Sequence, residues 1–271
     1  MKFILSRKGF DGSNGGIPSP IMPDGTLLSL PIPSNDSDTY DKLIYNDFTY
    51  KRILNDLGYK GVNSCHVDPD IREHVRSQEV KHWKPAFGQI DSSQGYLRNA
   101  KVEIGDIFLF FGRFRRVKFD NDIFQYNKKI KNDFYQGNIL HIIFGYMQVG
   151  EILNDCGMIQ SYHWHPHACK ERIENSNNTL YLPSKKLSFL PDMKGYGVLS
   201  YNHKRVLTNY GATAADWKDK EFLQPQHIIG SQRKNSSKTN GLYYQGIWQE
   251  LVFNASDDAT IWIKDIIGEG E

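Results

Sequence analysis

A short apolar strand that runs directly into a loop crowded with glycine, proline and charge constrains this chain more than any other feature. Met1-Lys2-Phe3-Ile4-Leu5 reads as a strand. Ser6-Arg7-Lys8-Gly9-Phe10-Asp11-Gly12-Ser13-Asn14-Gly15-Gly16 follows it, and Pro18, Pro20, Pro23, Pro31 and Pro33 punctuate what comes next. Glycine admits positive φ and a close approach of backbone to a ligand, and proline fixes φ. A loop built this way is shaped rather than slack, and loops held by rigid strands are where binding and catalytic residues gather.

The strongest β signal lies later, in Ile104-Gly-Asp-Ile-Phe-Leu-Phe-Phe-Gly112, and it pairs naturally with His141 to Gly150. Between them, Arg113 to Asn138 reads as a charged excursion from a small barrel. Phe3–Leu5, Thr26–Leu30, a short stretch within 61–70, and parts of Gly195–Leu207 and Trp248–Phe253 supply further strands. Phe48–Leu57 has helical spacing and stops at Gly58. Ile71–Val80 reads as a charged helix, Asn35–Asp41 as a loop or helix lead-in, and Asp257–Ile267 as a closing helix between Ser256 and Gly268. Gly230–Gly241 reads as a flexible polar loop. The expected class is α+β, mostly antiparallel and β-rich, with a small barrel-like sheet and a few flanking helices. A length of 271 residues suits a single domain over 1–271, with a division into two lobes near residue 100 left open.

Composition narrows the function. A net charge of +2 does not announce a nucleic-acid binder, so local basic patches must be weighed instead. Three cysteines without CxxC spacing argue against a disulfide framework and a cysteine zinc site. No apolar run approaches a membrane span, and the early Lys2 does not suit a signal peptide, so a cytoplasmic protein without a membrane partner is expected.

Five groups of residues could carry chemistry. In the first loop, Ser6, Arg7, Lys8, Ser13, Gly15 and Gly16 suit an anion-binding nest, with Asp11 as base or metal ligand. An ordinary turn hydrogen-bonded by Asp11 and Ser13 explains the same residues. His66-Val-Asp68-Pro69-Asp70 places an imidazole and two carboxylates on one face of an extended chain, which suits a divalent metal or a base with an orienting acid. A helix cap with Pro69 at the first position is the plainer reading. His163-Trp-His165-Pro-His167 alternates in the same way, with substrate contact by His165 or His167 favoured over zinc. Gln89 beside Gly88, and Gln249-Glu250 on a late strand, offer amide readout and a buried acid or base. Finally, Arg113, Arg115 and Lys118, interleaved with Phe114 and Phe119, suit a nucleic-acid groove or an ordinary solvated face.

Taken together these segments resemble the nucleotide modification associated domain 3 family of bacterial and phage gene neighbourhoods concerned with altered DNA bases. The resemblance is carried by Ser6–Asp11, Gly15-Gly16-x-Pro18-Ser19-Pro20, Pro23-Asp24-Gly25, Ser29-Leu30-Pro31-Ile32-Pro33 and His66-x-Asp68-Pro69-Asp70. Phe87-Gly88-Gln89, Gly105–Gly112, His141–Gly150, His165-Pro166-His167 and the Gln249-Glu250 strand continue it almost end to end. Arg113 stands where the family pattern has Trp. The segment around 104–150 also resembles, more loosely, the PUA, ASCH and EVE barrels that read modified bases.

The favoured expectation is an enzyme acting on nucleotides or on bases in DNA within a base-modification or phage-conflict system. Group transfer or hydrolysis would occur with phosphate held by the glycine-rich loop. Its catalytic residues are expected to be Asp11, His66, Asp68 and Glu250. Substrate is expected to meet Ser6, Arg7, Lys8, Ser13, Gly15, Gly16, Asp70, Gln89, His165, His167 and Gln249. Nucleic acid is expected at Arg113, Arg115 and Lys118, and the cofactor is open, with a divalent metal as the candidate. The partners implied are a nucleotide or DNA with modified bases, and operon proteins. The alternative is a non-catalytic reader of modified nucleic acid.

Overall fold

The computed structural model describes residues 1–230 and 237–268. In chain order its strands are β1 (Lys2–Arg7), β2 (Ser19–Ile21), β3 (Ile32–Thr39), β4 (Ile44–Tyr45), β5 (Phe48–Thr49), β6 (Ser64–His66), β7 (Phe87–Gln89), β8 (Ile107–Asp120), β9 (Ile123–Tyr126), β10 (Leu140–Leu153), β11 (Thr179–Pro183), β12 (Tyr196–Val198) and β13 (Glu250–Asn254). The helices are α1 (Tyr50–Asp56), α2 (Asp91–Asn99), α3 (Phe134–Gly137), α4 (Cys156–Gln160), α5 (Lys170–Ile173) and α6 (Asp257–Gly268).

The main sheet runs β13-β1-β8-β10-β11-β7, with β12 on β10 and β2 and β9 on β8. It curls as a half-barrel, and the fold is β-rich α+β. Most pairs are antiparallel. The exceptions are β1 and β2, which both lie parallel to β8.

The near-continuous apolar runs of β1 and β8 follow from burial on both faces of the sheet. Phe3, Leu5, Ile107, Leu109 and Phe111 pack on one face with Trp262, Ile263 and Ile266 of α6. Ile4, Phe108 and Phe110 pack on the other with Phe87 and Tyr181. Alternate side chains of a strand point to opposite faces, so a strand covered on both sides must be apolar throughout. A third cluster, Phe10, Leu30, Tyr40, Tyr50, Ile53 and Cys65, anchors the first loop against α1 and the β3–β6 ribbon. Burial of the Tyr50 side chain here pushes its phenol above the ordinary value.

Several local expectations change. Residues 113–120 continue β8 and turn back through β9, so the charged segment is a hairpin. Phe114 and Phe124 are buried and are not faces for stacking. Residues 26–30 make only isolated bridges, and the strand forms at Ser19–Ile21 instead. Asn35–Thr39 belongs to β3, because its acidic side chains find cationic and imidazole partners. No helix forms over 71–80. His74 has φ 59°, which a helix cannot accommodate, and Arg76 is drawn to Asp38 and Asp70. The closing helix is as expected, with Ser256 Oγ accepting from the Ala259 amide 3.2 Å away. Of the polar loop expected over 230–241, residues 231–236 lie outside the described residues.

Candidate functional site

The site is organised by how β1 ends. Ser6 is the register partner of Glu250 on β13, so the two side chains share a face. Lys8, two residues on, returns to that face. Glu250 Oε1 therefore accepts from Ser6 Oγ at 3.1 Å and Lys8 Nζ at 3.3 Å, and also from Gln89 Nε2 on β7. Burial pushes the Glu250 carboxyl up, opposed by Lys8 and these hydrogen bonds. Its other oxygen has no hydrogen-bond partner among the described residues. The Lys8 ammonium also lies 4.3 Å from the centre of the Phe87 ring.

Arg7 leaves β1 next to Asp11, with 3.1 Å between Nη1 and Oδ2. Asp11 Oδ1 accepts from the Ser13 and Asn14 amides, each at 2.7 Å. Burial opposes ionisation of Asp11, but these amides and Arg7 hold its carboxyl below the ordinary value. The loop amides thus converge on the chain's own carboxylate. Gly15, at φ 86°, packs against Phe10, where a Cβ would come within 2.2 Å of the ring.

The opposite wall comes from β6, β7 and the His165-Pro166-His167 turn. That turn is a 3-10 helix over Pro166–Ala168, not a strand. His165 is its N-cap, and its Nδ1 accepts from the His167 amide at 3.2 Å. His165 Nε2 lies 3.3 Å from Asp68 Oδ1 without an aligned hydrogen bond. Asp68 Oδ1 also accepts from the Gly88 amide at 2.7 Å. Burial works against ionisation of Asp68, yet His165, His167 and Lys8 hold it well below the usual carboxylate range. His66 Nδ1 donates to Asp36 Oδ2 at 2.8 Å, and Arg172 holds the same carboxylate. His167 Nδ1 donates to Asn178 Oδ1 at 2.7 Å, and Asn178 Nδ2 donates back to the His167 carbonyl at 2.9 Å. Burial pushes the His167 imidazole down to about 3.

Between these walls lies a cavity of about 410 Å³, reached by Arg7, Lys8, Asp11, His66, Asp68 and His167. One side chain each from His66, Asp68 and His167 presents a ligand atom, all within 4.8 Å of one another. A model of the family described as nucleotide modification associated domain 3 matches residues 2–254. The chain belongs to that family. Its name ties it to nucleotide-modification systems. No curated protein and no solved structure matches the chain significantly.

In this nucleotide modification associated domain, Gln89 and Gln249 also line the cavity, and Ser6 and Glu250 sit behind Lys8. Ser13, Gly15 and Gly16 do not line it; they form the turn that Asp11 closes. Asp70 does not share a face with His66 and Asp68, because the strand ends at His66. It is buried against Arg76, 2.8 Å away, and burial pushes its carboxyl up. His165 supports the site from behind Asp68 and is 1% exposed. Arg113 and Arg115 line a separate cavity of about 600 Å³ with Lys129. Lys118 lies on the exposed hairpin and pairs with Asp120 at 3.0 Å. Sequence reasoning missed Asp36 and Asn178, which hold the two imidazoles, Arg172, which holds Asp36, and Ser92 and Ser93 at the start of α2. The alternation of Asp36 and Asp38 in a polar run was the available signal for a strand whose acids are used. Among the described residues no helix is long and apolar enough to cross a membrane.

Proposed function

We propose that this chain is an enzyme that acts on a nucleotide, or on a base in DNA, by group transfer or hydrolysis within a base-modification or phage-conflict system. The observation that carries this reading is the 410 Å³ cavity with cations on one wall and His66, Asp68 and His167 on the other. That volume suits one small ligand, and a few convergent polar groups in a concave site are what fixes a substrate's orientation. A binding module has little need for a low-lying carboxylate braced by two imidazoles and an ammonium.

Phosphate would sit on the rim between Arg7 and the start of α2, where Ser92 and Ser93 line the cavity and, among the described residues, no side chain caps the helix. The first amides of such a helix are free to take an anion. This placement differs from the glycine-rich turn, whose amides Asp11 already occupies. Lys8 and Gln89, tethered by Glu250, would meet the substrate's polar edge, with Glu250 as the positioning residue behind them. His66, Asp68 and His167 form the reactive end. In a DNA substrate the backbone would follow Arg113, Arg115 and Lys129. Arg113 connects the two regions, since both Asp11 and Arg7 bear on its charge.

The test is nucleoside mass spectrometry. Free nucleotides, ordinary DNA and base-modified phage DNA are incubated with the protein or with its Asp68→Asn variant, with divalent metal and a cell extract supplying group donors. A nucleoside that appears or disappears only with the intact protein is the expected result. An unchanged profile together with selective retention of modified DNA would overturn the enzyme reading and leave a reader that uses the Arg113 groove.

A further inference from the structure

His66 and Asp68 lie two residues apart and His167 comes from a distant turn, yet their ligand atoms converge within 4.8 Å of one another on one wall of the cavity. We propose that they bind a single first-row divalent transition-metal ion, with its remaining coordination positions open to the cavity. Two imidazoles and one carboxylate are the donor set that suits such ions, with vacant positions left for water or substrate. At metal–ligand bonds of about 2.1 Å the donors would stand roughly 3 Å apart. His66 Nε2 and Asp68 Oδ2 are 4.0 Å apart without the ion.

The supporting residues distinguish this trio from a chance cluster. A carboxylate can only accept a hydrogen bond, so Asp36 places the proton of His66 on Nδ1 and leaves Nε2 as the donor atom. Asn178 does the same for His167; its amide orientation is set by its own bond to the His167 carbonyl. Imidazole ligands are characteristically oriented in this way through the nitrogen that does not bind the metal. Asp68 is fixed through Oδ1 by the Gly88 amide, leaving Oδ2 toward His66. His165 is excluded as a ligand, because its Nδ1 accepts from the His167 amide and its proton is on Nε2. Gly88 completes the arrangement, since a Cβ there would lie 2.2 Å from the His167 ring. Asp70 and His163, which the sequence pattern grouped with these residues, are not part of the trio.

The inference concerns metal binding alone and is measured without nucleotide, so it can fail while the proposed function stands, and the reverse. Metal-stripped protein is titrated with Co²⁺ and followed by visible absorption and calorimetry. One equivalent with ligand-field bands is expected. Asp68→Asn and His167→Ala should weaken binding by more than roughly 100-fold. Asp36→Asn should weaken it by roughly 10–100-fold, as for other residues that orient a ligand. His163→Ala, at an exposed position, should bind as the unaltered protein does. Absence of saturable binding, or unchanged affinity in folded Asp68→Asn and His167→Ala proteins, overturns the proposal. If those variants fail to fold, electron paramagnetic resonance of the Cu²⁺-loaded unaltered protein decides. Hyperfine coupling to two imidazole nitrogens supports the site, and coupling to one or none overturns it.

Discussion

Replacing Lys8 with Met removes the ammonium that faces Glu250 and leaves a carboxyl whose side chain is 1% exposed. Glu250 retains Ser6 and Gln89, but its charge has lost its cation. Burial already raises this carboxyl in the folded state, and Lys8 is the first of the interactions that hold it down. The stranded group can ionise at a cost or take up a proton, and the second route sets a ceiling. Protonating a carboxyl of ordinary value 4.5 at pH 7 costs about 1.36 kcal/mol per unit over 2.5 units, or about 3.4 kcal/mol. That agrees with the roughly 3–5 kcal/mol expected when one partner of a buried pair is removed. The sign follows from linkage. A carboxyl raised in the folded state contributes stability that is fully present below 4.5 and is lost as pH rises through the folded value. Lys8→Met should therefore lower stability by about 2–3 kcal/mol at pH 7 and by less than about 1 kcal/mol near pH 4.5. Urea unfolding at the two pH values, followed by circular dichroism, measures the difference. A deficit that is equal at both would refute the argument, as would a deficit at pH 7 below about 0.5 kcal/mol. The Lys8→Met/Glu250→Gln double variant should lose the pH dependence.

Other residues give equally specific expectations. Burial pushes His141 down to about 3, with Trp217 Nε1 donating to its Nδ1 at 3.0 Å. Stability present above pH 6.5 should fall as pH drops toward 3, by up to about 4–5 kcal/mol. His141→Asn should flatten that limb in acid-unfolding curves. Gly88→Ala places a Cβ 2.2 Å from the His167 ring. It should cost about 1–3 kcal/mol in urea unfolding and weaken Co²⁺ binding. Arg76→Met leaves Asp38 and buried Asp70 without their shared cation, so a loss of about 3–5 kcal/mol is expected in the same assay.

The parts legible in the sequence were those set by local pattern. The apolar runs of β1, β8 and β10 marked the central strands, and Ser256 and Gly58 marked helix ends. His66, Asp68 and His167 could each be singled out as chemistry-bearing, but not as one group. A period-two reading joined Asp68 to Asp70 and His165 to His167, whereas the chain leaves extended geometry after His66 and forms a 3-10 turn at Pro166. The partners that orient the imidazoles lie 30 residues away for His66 and 11 for His167, a separation that local pattern does not encode. The basic stretch was legible only in part for a related reason. Strand alternation in β8 and β9 turns Phe114 and Phe124 inward, while Phe119 stays exposed and the rings beside Arg115 and Arg116 are those of Tyr126 and Tyr201.

The charges around the cavity connect the metal site to the substrate. Arg7 is paired with Asp11, Lys8 with Glu250 and Arg172 with Asp36. Asp68 faces imidazoles, and Asp91 adds a further carboxylate to the lining. Three cations therefore stand against five acids, a balance that repels an anionic nucleotide. A divalent ion on Asp68 cancels the excess and adds positive charge to the wall opposite Arg7 and Lys8. Nucleotide should thus bind weakly to metal-stripped protein and more tightly once the metal is present. At an effective dielectric near 20, a divalent ion about 6 Å from a phosphate charge contributes several kcal/mol before solvent and salt reduce it. A tenfold or greater gain corresponds to only about 1.4 kcal/mol and is a conservative expectation. Calorimetric titration of a nucleoside monophosphate into the metal-stripped and Co²⁺-loaded proteins measures it. Equal affinity in the two, with Co²⁺ confirmed at one equivalent, would show that the anion is held by the rim alone, at Arg7 and the start of α2.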